Sequence, residues 1–209
     1  MRILVVGAGA IGSPLAAGLV SALPEAEIIV VDGDLVERSN LPRQPWFSLK
    51  DLGRPKARVL AEALGSKRIY PRVERVDEAF AWPRVDLVMD GTDNWAARLT
   101  IQKFARHTGI PWLFSGAVRW EGQVAWMAPE GPCLACLFGS ELTEGLRCFE
   151  AGVVGMVTLA VAGQALALAQ KWLIDPKSAE LHRLYLLEGR QGRIWSVGLP
   201  QGRCPHIYG

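Results

Sequence analysis

Short apolar runs, broken by glycine and polar clusters, alternate with stretches of helical period along the first half of the chain. Arg2–Val6 is a brief β-branched run with no polar interruption, the pattern of a strand buried on both faces of a parallel sheet. A glycine-rich turn follows, then helical spacing over Ile11–Leu23 and a second apolar run over Glu27–Val31. Together these predict a βαβ unit. Arg54–Leu64 carries the next helical pattern, with Pro55 in its first turn, where a missing amide breaks no helical bond. Leu87–Met89 predicts another buried strand, and Trp95–Thr108 a helix that Gly109 stops.

Beyond residue 110 the pattern changes. Trp112–Ala117 and Gln123–Ala128 read as consecutive strands, and an alanine- and glycine-rich helix follows within Ala151–Gln170. Arg183–Gly198 reads as a hairpin turning near Gly189–Gly192. The expected fold class is α/β: a Rossmann-like doubly wound sheet, parallel in the N-terminal half and extended by antiparallel strands in the C-terminal half. No repeat, low-complexity segment or linker interrupts the 209 residues, so a single domain over 1–209 is expected.

Half of the residues are hydrophobic, enough at this length for a sizeable core. The net charge is +2 and no Lys/Arg block occurs, so neither a nucleic acid nor an anionic membrane is the expected partner. Gly152, Gly155, Thr158, Gly163 and Gln164 keep the long apolar helix short of membrane-span hydropathy, so it is expected to be buried or interfacial. The run after Met1-Arg2 is too short for the core of a signal peptide, and the expected location is cytoplasmic. Four cysteines then argue for metal or reactive-thiol chemistry before disulfides.

Gly7-x-Gly9-x-x-Gly12 lies between a predicted strand and a predicted helix, where the first glycine serves the tight turn, the second a close approach to phosphate and the third helix–strand packing. Phosphate oxygens would sit at the positive end of the helix. Asp32, ending the second strand, stands where a carboxylate grips ribose hydroxyls. An NAD site needs little more, yet the chain adds Asp34, Asn40, Arg43 and Gln44 in one loop, and Lys56 after it. Two cations beyond a ribose suit a nucleoside triphosphate, whose displacement builds charge on phosphate. Asp93, at the carboxyl end of another parallel strand, is placed to hold magnesium.

Asp32-x-Asp34, Ser39-Asn40-Leu41-x-Arg43-Gln44, Gly53-x-Pro55-Lys56-Ala57, Thr92-Asp93-Asn94 with Arg98, Glu121-Gly122-Gln123 and Cys133-x-x-Cys136 together resemble the ThiF/MoeB/HesA family, relatives of the ubiquitin-activating enzymes. The resemblance covers nearly the whole chain. It implies binding of ATP and magnesium, and adenylation of the C-terminal glycine carboxylate of a small ubiquitin-like sulfur-carrier protein ending in Gly-Gly. A homodimer is expected separately, because the glycines and alanines of the long helix let another helix or sheet approach closely. By matching position, the backbone of Gly9 and Ala10 would face the phosphates and Asp32 the ribose. Asn40, Arg43 and Lys56 would surround the triphosphate, Asp93 would bind magnesium, and Ser39, Gln44 and Asn94 would complete the cofactor-binding set. Such proteins generally open with a further helical segment carrying R-Y-x-R-Q, whose arginine reaches the neighbouring subunit's ATP. Here the first strand begins at Arg2, so the expectation is a borrowed arginine or slow catalysis.

Cys133-x-x-Cys136 is half of a zinc knuckle, which Cys204 extends. The family's second half is another C-x-x-C, but Ile207 holds the fourth position here and His206 is the candidate substitute. Two readings stand: a Cys3His zinc site, or an eroded site whose cysteines are small core residues. Cys148, beside Arg147 and ahead of the long helix, matches the position that takes sulfur or a thioester, and reads alternatively as a loop cysteine. Rivals to the adenylating enzyme are a non-catalytic or half-active partner subunit and a tRNA-modifying dehydratase of the same fold. The missing basic patch and the C-x-x-C pair argue against the second.

Overall fold

The computed structural model describes residues 1–139, 152–200 and 204–206. Its strands in chain order are β1 (Arg2–Val6), β2 (Glu27–Val31), β3 (Ile69–Arg72), β4 (Leu87–Asp90), β5 (Trp112–Val118), β6 (Glu121–Met127), β7 (Arg183–Glu188) and β8 (Arg193–Gly198). They form one sheet in the order β3-β2-β1-β4-β5-β6-β7-β8. The first five strands are parallel, and β6, β7 and β8 each join antiparallel. The expected parallel half and antiparallel extension are both present.

Alternation along β1 distributes its side chains between two cores. Ile3 and Val5 pack into one layer, with Leu15 and Leu19 of α1 (Gly12–Ala22), Val59 and Leu60 of α2 (Lys56–Leu64), and Val157 and Val161 of the long helix Gly155–Ile174. Leu4 and Val6 pack into the other layer with Ile101 and Ala105 of α3 (Trp95–Thr108), Phe114 and Leu134. Leu134 opens the short helix α4 (Leu134–Phe138), and Gly155–Ile174 is therefore α5. By length and composition alone α5 is long and apolar enough to cross a membrane, a test that the core helix of a soluble protein also passes. In the fold its Val157, Val161, Ala165, Leu168 and Ala169 are buried within the first layer.

Several elements differ from expectation, among them the short helix α4 and the start of β6 at Glu121. Strand β3 was not anticipated, because Ile69-Tyr70-Pro71-Arg72 contains a proline and two exposed residues. It is an edge strand, paired only with β2, where a proline lacking its amide is tolerated. Helix α2 starts at Lys56, since Pro55 has ψ 126° and caps the helix from outside instead of lying in its first turn. Helix α5 runs to Ile174, four residues past Gln170.

Candidate active site

Val6 lies opposite Val31 in β2 and Asp90 in β4, so the loops leaving these three parallel strands start from one row at the sheet's carboxyl edge. Strand order reverses between β1 and β4, the position where such sheets leave a ligand crevice. The glycine turn is held close to both neighbours. Gly7 has φ +94° and donates its amide to Val31 O at 2.8 Å. A β-carbon at Gly12 would lie 1.8 Å from Gly7 O, and one at Gly91 would lie 2.7 Å from the Gly12 backbone. Gly91 is thus a packing requirement of the site that no glycine motif announced. At Gly9 an added β-carbon would meet only Gln44 Nε2, at 3.9 Å, so protein packing does not require a glycine there. Ala10 follows in the same turn and is half-buried.

Asp32 accepts hydrogen bonds from Ala8 N at 2.6 Å and Asp34 N at 2.7 Å, which splay its two oxygens between the glycine turn and the next loop. Burial pushes its carboxyl above the ordinary value, against the pull of Lys56 and of the two amides. Lys56 is buried at the start of α2 and pairs with Asp34 at 3.2 Å. Asp34 also receives Arg75 at 3.0 Å, a cation that the sequence pattern did not include. Arg75 reaches it because Gly33 leaves room: a β-carbon there would fall 2.5 Å from Arg75 Cγ. Asp34 is therefore the counter-ion of two cations.

The six residues Arg38–Arg43 form a 3-10 turn. Asn40 is buried, and its Oδ1 accepts the Glu37 amide at 3.0 Å, so its side chain shapes the turn. Ser39 Oγ bonds Glu37, and Ser39 O accepts from Arg43 Nη1 at 2.7 Å. Arg43 packs against Gly155 at the start of α5, where a β-carbon would touch Arg43 Cα at 3.7 Å. Gln44 is buried with no partner for Oε1, an orphaned acceptor beside the glycine turn.

Asp93 is exposed where β4 gives way to α3, and Asn94 Oδ1 caps α3 by accepting Ala97 N at 2.8 Å. Beneath them Asp90 is fully buried. Burial raises its carboxyl, while Arg98 at 3.1 Å and two hydrogen bonds from Thr92 act the other way. An acid closing an apolar strand with an arginine eight residues on was the available signal for this pair.

Around the start of α4, Cys133, Cys136, Cys204 and His206 converge, their ligand atoms all within 4.8 Å of one another. Sulfur pairs Cys133–Cys136 and Cys136–Cys204 stand at 3.6 Å, and His206 Nδ1 is 3.3 and 3.4 Å from Cys133 and Cys136. A tetrahedral zinc with bonds of about 2.3 Å separates its sulfurs by about 3.8 Å, so the four side chains fit that ion with little movement. Cys148 lies outside the described residues, as does Ile207.

The sequence pattern of the ThiF family matches residues 1–205. The chain is 35% identical over 187 residues to the SAMP-activating enzyme E1 of Haloferax volcanii, covering 85% of this chain and 69% of that one. It is 34% identical over 219 residues to the sulfur carrier protein adenylyltransferase of Thermus thermophilus, covering 97% and 80%. It is 30% identical over 218 residues to the sulfur carrier protein ThiS adenylyltransferase of Escherichia coli, covering 98% and 84%. The crystal structure of E. coli MccB with ATP superposes with a TM-score of 0.78 over 98% of this chain at 20% identity, a likeness of fold, and the chain spans 64% of that protein's length. A pattern matched over nearly its full length, with relatives at this level of identity, places the chain in the ThiF family.

Proposed function

We propose that the protein uses ATP and magnesium to adenylate the C-terminal glycine carboxylate of a small ubiquitin-like sulfur-carrier protein. The observation that carries this reading is the convergence, at one edge of the sheet, of the glycine turn, Asp32 with Lys56, and Asp93. The names of its relatives, among them sulfur carrier protein adenylyltransferases, support the same reaction.

A carboxylate oxygen of the carrier attacks the α-phosphorus of ATP, the bond to the bridging oxygen breaks, and pyrophosphate leaves. No proton moves, so the protein's work is to align two anions and offset their repulsion. Asp32 fixes the ribose, and the open backbone at Gly9 and Ala10 admits the phosphates. Lys56 and Arg43 face the charge that grows on the departing pyrophosphate. Asp93 would hold magnesium, which would neutralise phosphate charge. ATP–pyrophosphate exchange tests the reading: label should enter ATP only with a small protein ending in Gly-Gly. Tight NAD binding with no binding of ATP–magnesium ends it.

The cysteine–histidine cluster is assigned to a structural zinc ion, which ties the segment at Cys204 to α4. A homodimer is proposed from the exposed apolar surface on α5 and β8. Met156, Leu159 and Ile194 are exposed, and Met156 and Ile194 share an open groove of about 290 Å³ with Trp120 and Ala160. Sedimentation at micromolar concentration should give twice the chain mass, and a monomer with and without ATP overturns the assignment.

A further inference from the structure

The loop bearing Asp93 is anchored from beneath. Thr92 N and Oγ1 both donate to Asp90 Oδ1, at 2.8 and 2.6 Å. On its other side, Thr92 O accepts from Arg98 Nη2 at 2.7 Å. The same guanidinium donates Nε to Asp90 Oδ2 at 3.1 Å and Nη2 to Ser115 O on β5 at 3.0 Å. Its central carbon lies over the Trp95 and Phe114 rings, 5.2 and 5.0 Å from their centroids. Asp90 is wholly buried and Arg98 nearly so, which removes the competing water that makes surface pairs weak. Asn94, the residue after Asp93, is fixed by its cap to Ala97 N. Asp93 is therefore an exposed carboxylate between two residues whose backbones cannot turn freely.

We infer that Arg98, acting with Asp90 through Thr92, is a positioning residue that sets the aim of the Asp93 carboxylate and so the strength with which magnesium joins bound ATP. This rests on the magnesium reading of Asp93 above. The planar fork of arginine makes three contacts at once, to Asp90, Thr92 and Ser115, and no other side chain reproduces that geometry. Loss of a group that orients a metal ligand weakens metal binding by about 10- to 100-fold.

Calorimetric titration with ATP, with and without magnesium, isolates the effect and needs no carrier protein. The quantity read is the factor by which magnesium tightens ATP. Arg98→Met should shrink that factor by about tenfold or more while magnesium-free ATP affinity changes by less than about threefold. Arg98→Lys should recover part of it, because a lysine keeps one charged contact with Asp90. Thr92→Val, which removes only the hydroxyl donor, should shift it in the same direction and decides the matter if Arg98→Met does not fold. Two results overturn the inference: a folded variant that keeps the parent factor, or one whose magnesium-free ATP affinity falls by as much as its magnesium response. The Asp93→Ala control separates causes. If it keeps the full magnesium factor, the metal reading falls and takes this inference with it. If it loses the factor while Arg98→Met and Thr92→Val keep it, only the role of Arg98 is wrong.

Discussion

Gly91 lies against Gly12 so tightly that a β-carbon on Gly91 would stand 2.7 Å from both the amide nitrogen and the α-carbon of Gly12. The turn after β4 and the glycine turn after β1 are thereby one packed unit, with no side chain between them. Backbone, unlike the end of a flexible side chain, has little freedom to give way.

Gly91→Ala should consequently lower stability by about 1–3 kcal/mol, the cost of inserting a methyl group where none fits. Because the same contact spaces Asp93 from the phosphate turn, ATP–magnesium affinity should fall too. Gly109→Ala is a control of a different kind: Gly109 caps the carboxyl end of α3 with φ +74° and open space around it, so its loss is one of backbone strain at the helix end opposite Asn94 and should spare nucleotide affinity. Denaturant unfolding and calorimetry on both variants check this.

Lys56 and Asp34 give opposite expectations. Under the proposed reaction, Lys56→Ala should lower adenylation by about a hundredfold or more, the loss expected when a fixed charge that offsets phosphate charge is removed. Asp34 pairs with that same ammonium, a contact that would compete with the proposed phosphate. Asp34→Asn should therefore tighten ATP by roughly threefold, the scale of an exposed ion pair, with Arg75 released as well. Weaker ATP binding by Asp34→Asn would return Asp34 to the ligand-binding role that its place in the sequence motif implied.

The Asp32 carboxyl sits above its ordinary value of 3.8 in the folded protein, chiefly through burial. The folded state thus holds this proton more tightly than the unfolded chain, so the contribution is complete below about 3.8 and is lost as pH rises through the folded value. In Asp32→Ala that loss is absent. Melting temperatures of the nucleotide-free proteins, followed from pH 4 to about pH 7, should shift in favour of the variant as pH rises. A gap that is constant, or that widens toward the parent, contradicts this. ATP binding by Asp32→Ala should be weakened at every pH.

Protons should leave as zinc binds. Burial, with the neighbouring thiols, pushes Cys136 up to about 11. At Cys204 burial acts upward too, but hydrogen bonding to the His206 backbone and ring outweighs it and brings the thiol down to about 6. Near neutral pH Cys204 is thus ready to bind metal while Cys136 must first lose its proton. Calorimetry in buffers of different ionisation heat should register at least one proton released per zinc, and affinity should rise with pH. Protein purified without added zinc or chelator should carry about one equivalent; less than about one-tenth would support the eroded site.

What the sequence disclosed follows from how local each signal is. The apolar strands β1, β2 and β4 and the loop from Asp32 to Gln44 are contiguous, so period and motif expose them directly. Strand β3 was hidden because an edge strand needs neither a continuous apolar run nor every amide, and Pro71 spoils the pattern without spoiling the pairing. Arg75 was hidden for another reason: only the fold brings it over Gly33 to Asp34, 41 residues earlier. Asn40 carries a local duty that its motif did not disclose: its Oδ1 accepts the Glu37 amide.

The pairing of Val6 with both Val31 and Asp90 has a consequence for how this protein tolerates change. The glycine turn, the Asp32 loop and the Asp93 loop each continue from the end of a strand, so their mutual spacing starts from the stagger of β2, β1 and β4. A slip of one residue in β1 would carry its end about 3.3 Å along the sheet and exchange its two buried faces. Bulky or polar replacements deep in Ile3, Val5 or Met89, far from any bound group, should therefore surface as misaligned chemistry as much as lost stability. For this architecture, drift in the strands is drift in the catalyst.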